Sequence, residues 1–522
     1  MKFQAKNLPK VLLCLLVISL TIRCFLAGFF ELGNDEVYYW TYARYPDWSH
    51  FDHPGMIGWM MQLFSLNLLF DSEFFLRLSS LILMTIDTFL FYLIGKELKN
   101  RLTGLYSALL YTATPYGFII TGVFILPDTP LMLFSLLALY LFIKYFKSNP
   151  RRYLYLILGG FCTGLAILSK YSGAFLLLGM GLYVLIFQRQ ELRNKFLYLS
   201  VFLALFCLLP ILIWNIQNDF ISFSFHGDRV SWFGKPHFEY FGREIFGEFL
   251  YNNPIVYILI IVAMVAFFKH RLNSEKESSR LLLLTSLPLI GLFIYFSFTR
   301  PTLPHWSAPG VSYLIPFAAV FLEERQIKHE QQAAIPNVIV YALLLMLFVV
   351  GIGSLEIKTG KIQECFHHSD KIDSSTLGKG DVTLDVYGWK QMSEKFAQSR
   401  QQAISDGKMK ETDGLVALQW FPAANMDYYI ATPLNIPLFG LGDISQIHKY
   451  QWINEIRGQL QPGHDYWFLN QSCHSFDLDN WWLVTYFEEV VPIDTLTIDR
   501  CGKPAEYVFV YRLKNYGKIQ QQ

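Results

Sequence analysis

The chain has 522 residues, of which 53% are hydrophobic, 17% aromatic and only 16% charged, and its formal net charge is +1. This composition excludes an ordinary soluble enzyme and is typical of a protein that crosses a membrane many times. Because the charge is balanced and the chain contains no basic tract, the sequence predicts no nucleic-acid partner.

The predicted fold class is a polytopic α-helical membrane protein. A helix needs about 20 apolar residues to cross the bilayer, and this criterion predicts about eleven transmembrane helices. They are predicted at residues 11–30, 74–94, 103–124, 129–146, 153–168, 172–187, 196–216, 254–268, 281–298, 308–322 and 335–353. The first follows Lys2, Lys6 and Lys10 without a cleavage site of small residues, so it is predicted to be a retained membrane helix.

Basic residues set the predicted orientation. They concentrate at the N-terminus and in alternate loops, at residues 96–101, 144–152, 189–195, 269–280 and 325–328. By the positive-inside rule the N-terminus is cytoplasmic, and an odd number of helices then places everything after residue 353 outside.

The sequence becomes polar near residue 355, which predicts a transmembrane domain at 1–354 and an extracytoplasmic domain at 355–522. Short apolar runs at 381–387, 415–420, 466–469 and 507–512, with helical patterns at 389–397 and 450–458, predict a small α/β domain. Cys473 and Cys501 are candidate disulfide partners there, because disulfides form outside the cytoplasm.

The first outer loop, at residues 31–59, holds an acidic pair among many aromatic side chains. Asp35 is the candidate catalytic residue, because a carboxylate at the membrane surface can deprotonate an acceptor hydroxyl. Asp35 or Glu36 could instead hold a divalent cation. The alternative is an acidic loop, or a helix whose N-cap is Asp35.

Other ionisable residues fall on the same predicted face, where charges need partners, so we expect several loops to form one site. They are Asp52, His53, Asp128, Lys170, Tyr171, His226, Arg300 and His305. The alternative is that each ends its own helix and meets water separately.

The residue types suggest roles. Asp128, between Pro127 and Pro130, could orient an acceptor or cap a helix. Lys170 with Tyr171, and Arg300 with His305, could bind a lipid phosphate, the alternative being interfacial snorkelling. Asp52, His53 and His226 offer a carboxylate and two imidazoles, a donor set for zinc, manganese or magnesium, although their spacing is not a compact metal signature.

Five sequence elements together resemble a known family. They are the acidic pair Asp35-Glu36 and the segments HFDHPGMIGW, PDTPL, LSKYSG and PHWSAPG. In combination they are similar to the bacterial glycosyltransferases of families 39 and 83 in the GT-C superfamily, akin to protein O-mannosyltransferases and the lipid A aminoarabinose transferase. The resemblance implies inverting transfer of a sugar from a polyprenyl-phosphate donor to a lipid, glycan or protein acceptor at the outer face of the bacterial inner membrane.

The resemblance also implies roles for individual residues. Asp35 matches the acidic residue of the family's first loop, the catalytic base, and Asp128 matches the aspartate of its second outer loop. Asp52 stands where the aminoarabinose transferases have a metal-binding glutamate, and His53 stands where they have a lysine.

Two further residues complete the implied site. His226 corresponds to a metal-binding histidine, and Lys170 matches a lysine in a common turn, to which we assign the donor phosphate. In this mechanism a cation stabilises the leaving phosphate while Asp35 accepts the proton of the attacking acceptor.

Two other classes of protein remain as alternatives. A transporter or flippase of a lipid-linked substrate would carry charges inside the membrane and broken helices in paired halves. A non-catalytic membrane assembly component would tolerate a neutral residue at position 35. The clustering of ionisable residues at one predicted face favours the transferase.

Overall fold

The computed structural model describes residues 2–229, 235–326, 332–366, 374–476 and 482–517. The chain divides into two compact units, Met1–Gly28 with Tyr42–Val349 and Phe29–Thr41 with Val350–Gln522. The predicted division at residue 354 assigned the first loop to the membrane domain, whereas the structure groups Phe29–Thr41 with the C-terminal residues.

Helices make up almost all of the first part of the chain. They are Leu8–Phe29, Asn34–Arg44, Met56–Phe64, Glu73–Leu76, Leu78–Leu98, Arg101–Thr112, Asp128–Lys147, Tyr153–Ser169, Ala174–Phe187, Lys195–Phe206, Leu209–Gln217, Ile221–Arg229, Phe238–Tyr251, Pro254–Phe268, Lys276–Ser297, Ala308–Tyr313, Ile315–Glu324 and Asn337–Thr359. A short antiparallel pair, Lys2–Gln4 with Gln332–Ala334, joins the N-terminus to the segment before the last of these helices.

Several helices begin at a side-chain cap. Asn100 accepts hydrogen bonds from the amides of Leu102 and Thr103, each at 3.0 Å. Asn194, Asn253 and Glu275 cap the helices that follow them in the same way. These caps satisfy amides that have no partner inside the helix, and they lie where the apolar runs begin.

Six helices in the described residues are long and apolar enough to cross a membrane, or seven if one bent pair counts as a single span. They are Leu8–Phe29, Glu73–Leu98, Asp128–Lys147, Lys195–Gln217, Lys276–Ser297 and Asn337–Thr359, and the bent pair is Phe238–Tyr251 with Pro254–Phe268. Each of the eleven predicted segments overlaps a helix, but the count of eleven is not confirmed. Helices such as Tyr153–Ser169 and Ala174–Phe187 are shorter than the roughly 20 residues that a straight span needs.

Small residues allow these helices to approach closely. Cβ atoms added at Gly160 and Gly164 would collide with Ser200 and Ala204 on the neighbouring helix Lys195–Phe206. Close approach at small residues is how membrane helices gain packing energy without a hydrophobic driving force between them.

The C-terminal residues form a mixed α/β unit. Its five-stranded sheet has the order Leu438–Gly440, Leu415–Ala417, Tyr466–Gln471, Lys503–Tyr516, Phe487–Arg500. The first three strands are parallel and the last two pair antiparallel. Its helices are Lys361–Phe366, Trp389–Ser405, Trp420–Met426, Thr432–Leu434, Ile444–Ile447, Tyr450–Arg457 and Trp482–Tyr486.

The sequence located part of this unit correctly. The runs at 466–469 and 507–512 are strands, and the helical patterns at 389–397 and 450–458 are helices. The strand suggested at 381–387 is wrong, because Val382–Val386 is a 3-10 helix in which Asp381 accepts the amide hydrogen of Thr383. The suggested disulfide is absent, since Cys473 and Cys501 are both free thiols.

Candidate active site

A cavity of about 940 Å³ in the first unit brings together six of the residues singled out in the sequence. They are Asp52, His53, Lys170, Tyr171, His226 and Arg300. They come from four segments that are far apart in the chain, so they share one site rather than meeting solvent separately. The rest of the wall is largely aromatic and aliphatic, with Phe293, Phe296 and Trp306 among its members.

The best-defined polar contact at the cavity is a buried ion pair. Lys170 follows helix Tyr153–Ser169, and Asp128 is the first residue of helix Asp128–Lys147. The Lys170 ammonium lies 2.7 Å from Oδ2 of Asp128, and the Tyr116 hydroxyl donates to Oδ1 at 3.0 Å. Both oxygens of this carboxylate, which is 1% exposed, therefore have partners. Lys170 also lines the cavity, so its remaining ammonium hydrogens can reach a ligand there.

The charges of both Lys170 and Asp128 affect the pKa of His305. Burial and the Lys170 ammonium lower the pKa of His305 to about 4, against the opposing effect of Asp128. The imidazole is therefore neutral at physiological pH. Although His305 lies near the ion pair, it is not one of the residues that line the cavity.

Arg300 provides the second cation of the cavity. Its guanidinium carbon stands 4.0 Å from the centre of the Phe296 ring, a cation–π arrangement that fixes the planar group against the wall. Arg300 and Phe296 both line the cavity.

Asp52 is hydrogen-bonded to Tyr42 and His226, and the ring of His53 lies beside that of His226. The Tyr42 hydroxyl donates to Oδ1 of Asp52 at 2.5 Å, and Nε2 of His226 lies 2.9 Å from the backbone carbonyl oxygen of Asp52. Because a carbonyl oxygen only accepts, Nε2 of His226 carries the hydrogen. Burial, opposed by Asp52, lowers the pKa of His53 to about 4.

The predicted metal site can be tested against this arrangement. Among the described residues no group of three or more His, Cys, Asp and Glu side chains is placed to hold a metal ion. Nε2 of His226 faces a backbone carbonyl, and Oδ1 of Asp52 faces a tyrosine hydroxyl. As placed, Asp52, His53 and His226 do not fit a metal ion, and the metal requirement stays a prediction.

Asp35 and Glu36 belong to the other unit, in the first turn of helix Asn34–Arg44. Glu36 is 2% exposed, and its Oε2 accepts the amide hydrogen of Gly33 at 2.9 Å. This is the glutamate contact of a capping box, so Glu36 rather than Asp35 stabilises the helix start. Asp35 is exposed.

Two charged residues inside the helices, Arg23 and Asp87, were not predicted from the sequence to be functional. Arg23 is fully buried and donates to the carbonyl oxygen of Leu81 at 3.2 Å and to the Thr85 hydroxyl at 3.0 Å. Asp87 is also fully buried, and neither of its oxygens has a hydrogen-bond partner among the described residues. A lone charge in an apolar run is the sequence signal that could have identified both residues.

Comparisons with known proteins agree with the sequence motifs. Residues 52–214 match the family described as dolichyl-phosphate-mannose-protein mannosyltransferase. The lipid A galacturonosyltransferase RgtD of Rhizobium johnstonii is 24% identical over 417 residues, which cover 77% of this chain and 80% of that protein. The structure of ArnT from Cupriavidus metallidurans bound to undecaprenyl phosphate has a TM-score of 0.59 at 13% identity and covers 97% of this chain and 98% of that one. The same protein in the apo state gives the same values.

The fold defines a polytopic membrane protein built like ArnT. The family match, the curated relative and the fold together support the resemblance to glycosyltransferases of the GT-C superfamily that the sequence motifs indicate.

Proposed function

We propose that the protein is an inverting glycosyltransferase that moves a sugar from a polyprenyl-phosphate donor to a lipid, glycan or protein acceptor. The observation that carries this proposal is the cavity, whose polar side holds Lys170 and Arg300 while its walls are aromatic and aliphatic. A lipid phosphate presents both chemistries at once, an anionic head for the cations and a hydrocarbon tail for the apolar wall.

The donor phosphate is proposed to lie between Lys170 and Arg300. Lys170 is already held in place by Asp128, so it can receive a phosphate oxygen without being reoriented. The two cations then stabilise the negative charge that develops on the departing polyprenyl phosphate. His53, which its lowered pKa keeps neutral, and Tyr171 also line the cavity, where each can offer a hydrogen bond to the donor without adding charge.

Asp35 is proposed to act on the acceptor. The acceptor oxygen attacks the anomeric carbon on the face opposite the phosphate, the bond to the phosphate breaks, and Asp35 takes the acceptor's proton. If the acceptor is itself an ionised phosphate, Asp35 would position it instead. The name of the relative RgtD supports lipid A as a candidate acceptor, and the undecaprenyl phosphate in the ArnT structure supports a polyprenyl-phosphate donor.

The distribution of basic residues supports a placement in the bacterial inner membrane with the N-terminus in the cytoplasm. The C-terminal unit is then periplasmic. Lipid-linked sugars and envelope acceptors are handled on that side.

The decisive experiment compares two aspartate variants of the full-length protein in lipid nanodiscs. Supplied with a panel of polyprenyl-phosphate sugars and lipid A, Asp35→Asn should lose about 10²–10⁴-fold in transfer rate. The exposed Asp443 of the same unit provides the control, and Asp443→Asn should keep the wild-type rate. Full activity of Asp35→Asn would refute the role of Asp35 as the base, whereas a wild-type protein that transfers sugar from none of the donors would support the non-catalytic assembly component.

The sugar that the protein transfers can be identified in cells. Mass spectrometry of lipids and glycans from a deletion strain should show one envelope sugar missing and its lipid-linked donor accumulating. An unchanged glycan profile in every growth condition tested would contradict the transferase proposal.

A second candidate function, a flippase of the lipid-linked sugar, is favoured by one observation. Arg23 and Asp87 are buried charges inside helices Leu8–Phe29 and Leu78–Leu98, and intramembrane charges also mark transport pathways. In liposomes, translocation of a fluorescent polyprenyl-phosphate sugar without any transfer to an acceptor would establish it.

A further inference from the structure

The first loop packs against the C-terminal residues within the second unit. Leu32 is fully buried, and both of its backbone polar groups form hydrogen bonds with side chains that are far away in the sequence. Its amide donates to the Tyr429 hydroxyl at 2.6 Å, and its carbonyl oxygen accepts from the Asn425 amide at 3.4 Å. Because a buried backbone group without a partner is costly, these side chains fix the path of the loop three residues before Asp35.

Glu31 anchors the start of the same loop to a helix. Helix Trp389–Ser405 begins after Gly388, which has no side chain to cap it. The Glu31 carboxylate supplies the cap, accepting the amide of Trp389 at 2.7 Å and the amide of Lys390 at 3.4 Å. A negative charge at a helix N-terminus is favourable because the free amides and the helix dipole both attract it.

Residues that follow Asp35 in the chain, Tyr38 and Thr41, also make contacts that hold the loop in place. The rings of Tyr38 and Trp420 lie 4.9 Å apart. The ammonium of Lys449, a residue that is 4% exposed, donates to the carbonyl oxygen of Thr41 at 3.0 Å. Asp35 therefore sits exposed between two anchored flanks.

We propose that the C-terminal unit fixes the position of Asp35, with Glu31, Tyr429 and Lys449 as its positioning residues. This inference rests on the proposed function and adds a role for the C-terminal unit in the transfer step itself. A displacement of about 1 Å in a reacting group can cost about a hundredfold in rate, so a loosened loop lowers the rate even when the donor binds normally.

The test uses full-length variants at Glu31 and Tyr429. Glu31→Ala removes the cap, and Tyr429→Phe leaves the amide of Leu32 without its acceptor. Each should lower kcat about ten- to a hundredfold while KM for the polyprenyl-phosphate donor stays unchanged. Glu31→Gln keeps one acceptor oxygen and should recover most of the lost rate.

Hydrogen exchange supplies a readout that does not depend on activity. Peptides covering residues 29–41 should exchange faster in Glu31→Ala and Tyr429→Phe than in the wild-type protein. Glu394, exposed on the helix that Glu31 caps, gives the matched control, and Glu394→Gln should change neither exchange nor kcat.

Two results would overturn the proposal. One is unchanged exchange over residues 29–41 together with unchanged kcat in both variants. The other is faster exchange in an active enzyme whose kcat does not fall. A wild-type protein that transfers no sugar would instead overturn the proposed function, and the exchange data would still decide whether these residues hold the loop.

Discussion

The ion pair between Lys170 and Asp128 is expected to stabilise the fold, and Lys170 is also proposed to bind the donor phosphate; mutations can separate these two effects. It is nearly inaccessible, with Asp128 1% and Lys170 8% exposed and 2.7 Å between the charged atoms. Removing one partner leaves the other charge buried and unpaired, so Lys170→Met and Asp128→Asn should each cost about 3–5 kcal/mol of folding free energy. Replacing both leaves no charge, and a neutral pair of similar size in a buried site is often tolerated.

The double variant Lys170→Met/Asp128→Asn should therefore be more stable than the sum of the single variants predicts, by at least about 2 kcal/mol. Unfolding of all four proteins in the same detergent measures this coupling. The transfer rate should behave differently. The double variant regains stability but still lacks the cation assigned to the donor phosphate, so its rate should stay about ten- to a hundredfold below wild type.

Each half of this prediction can be refuted separately. Single variants as stable as the wild-type protein would show that the pair contributes nothing to folding. A double variant that transfers sugar at the wild-type rate would show that Lys170 serves only to neutralise Asp128. The phosphate role would then have to pass to Arg300 alone.

Three further predictions follow from the site and from the C-terminal unit. Arg300→Gln should raise KM for the donor about tenfold, because one charge-assisted bond is lost, and steady-state kinetics measure it. The pKa of His53, lowered to about 4, means that the unfolded chain binds more protons between pH 4 and 6.5. The contribution of neutral His53 to the free energy of unfolding is therefore full above pH 6.5 and is lost as the pH falls through 4. The variant His53→Asn should lose less stability than the wild-type protein over this pH range in acid unfolding curves. Burial raises the pKa of Glu506 to about 7, so its contribution is present below pH 4.5 and lost as the pH rises through 7. Glu506→Gln should remove that alkaline loss, worth about 3 kcal/mol, from thermal melts of the full chain.

The sequence located the cavity residues because ionisable side chains stand out where apolar runs end. The sequence did not indicate which of these residues contact each other. Lys170 and Asp128 are 42 positions apart, and each was given its own role, whereas the structure shows that one holds the other. Tyr116 and Tyr42 were missed for a related reason. Tyrosine is common in this chain, and nothing in its local sequence distinguishes one whose hydroxyl meets a carboxylate.

Local hydrogen bonding explains the errors in secondary structure. The apolar alternation at 381–387 is typical of a strand, but the side chain of Asp381 accepts the amide of Thr383 and closes a 3-10 turn. Hydropathy likewise joined residues 103–124 into one span. The structure ends the α-helix at Thr112 and continues, after Pro115, in the π-helical turn Tyr116–Ile120.

The first loop shows most clearly where composition stops being informative. Hydropathy places a boundary near residue 354, yet the contacts that organise residues 29–41 reach 358 positions along the chain from Glu31, 397 from Leu32 and 408 from Thr41. In each of them one partner is a backbone amide or carbonyl, which every residue carries, so no sequence pattern marks it. A residue such as Tyr429 therefore looks remote from the chemistry by sequence. Because we propose that the loop carries the base, we expect a substitution at Tyr429 to lower the rate of transfer.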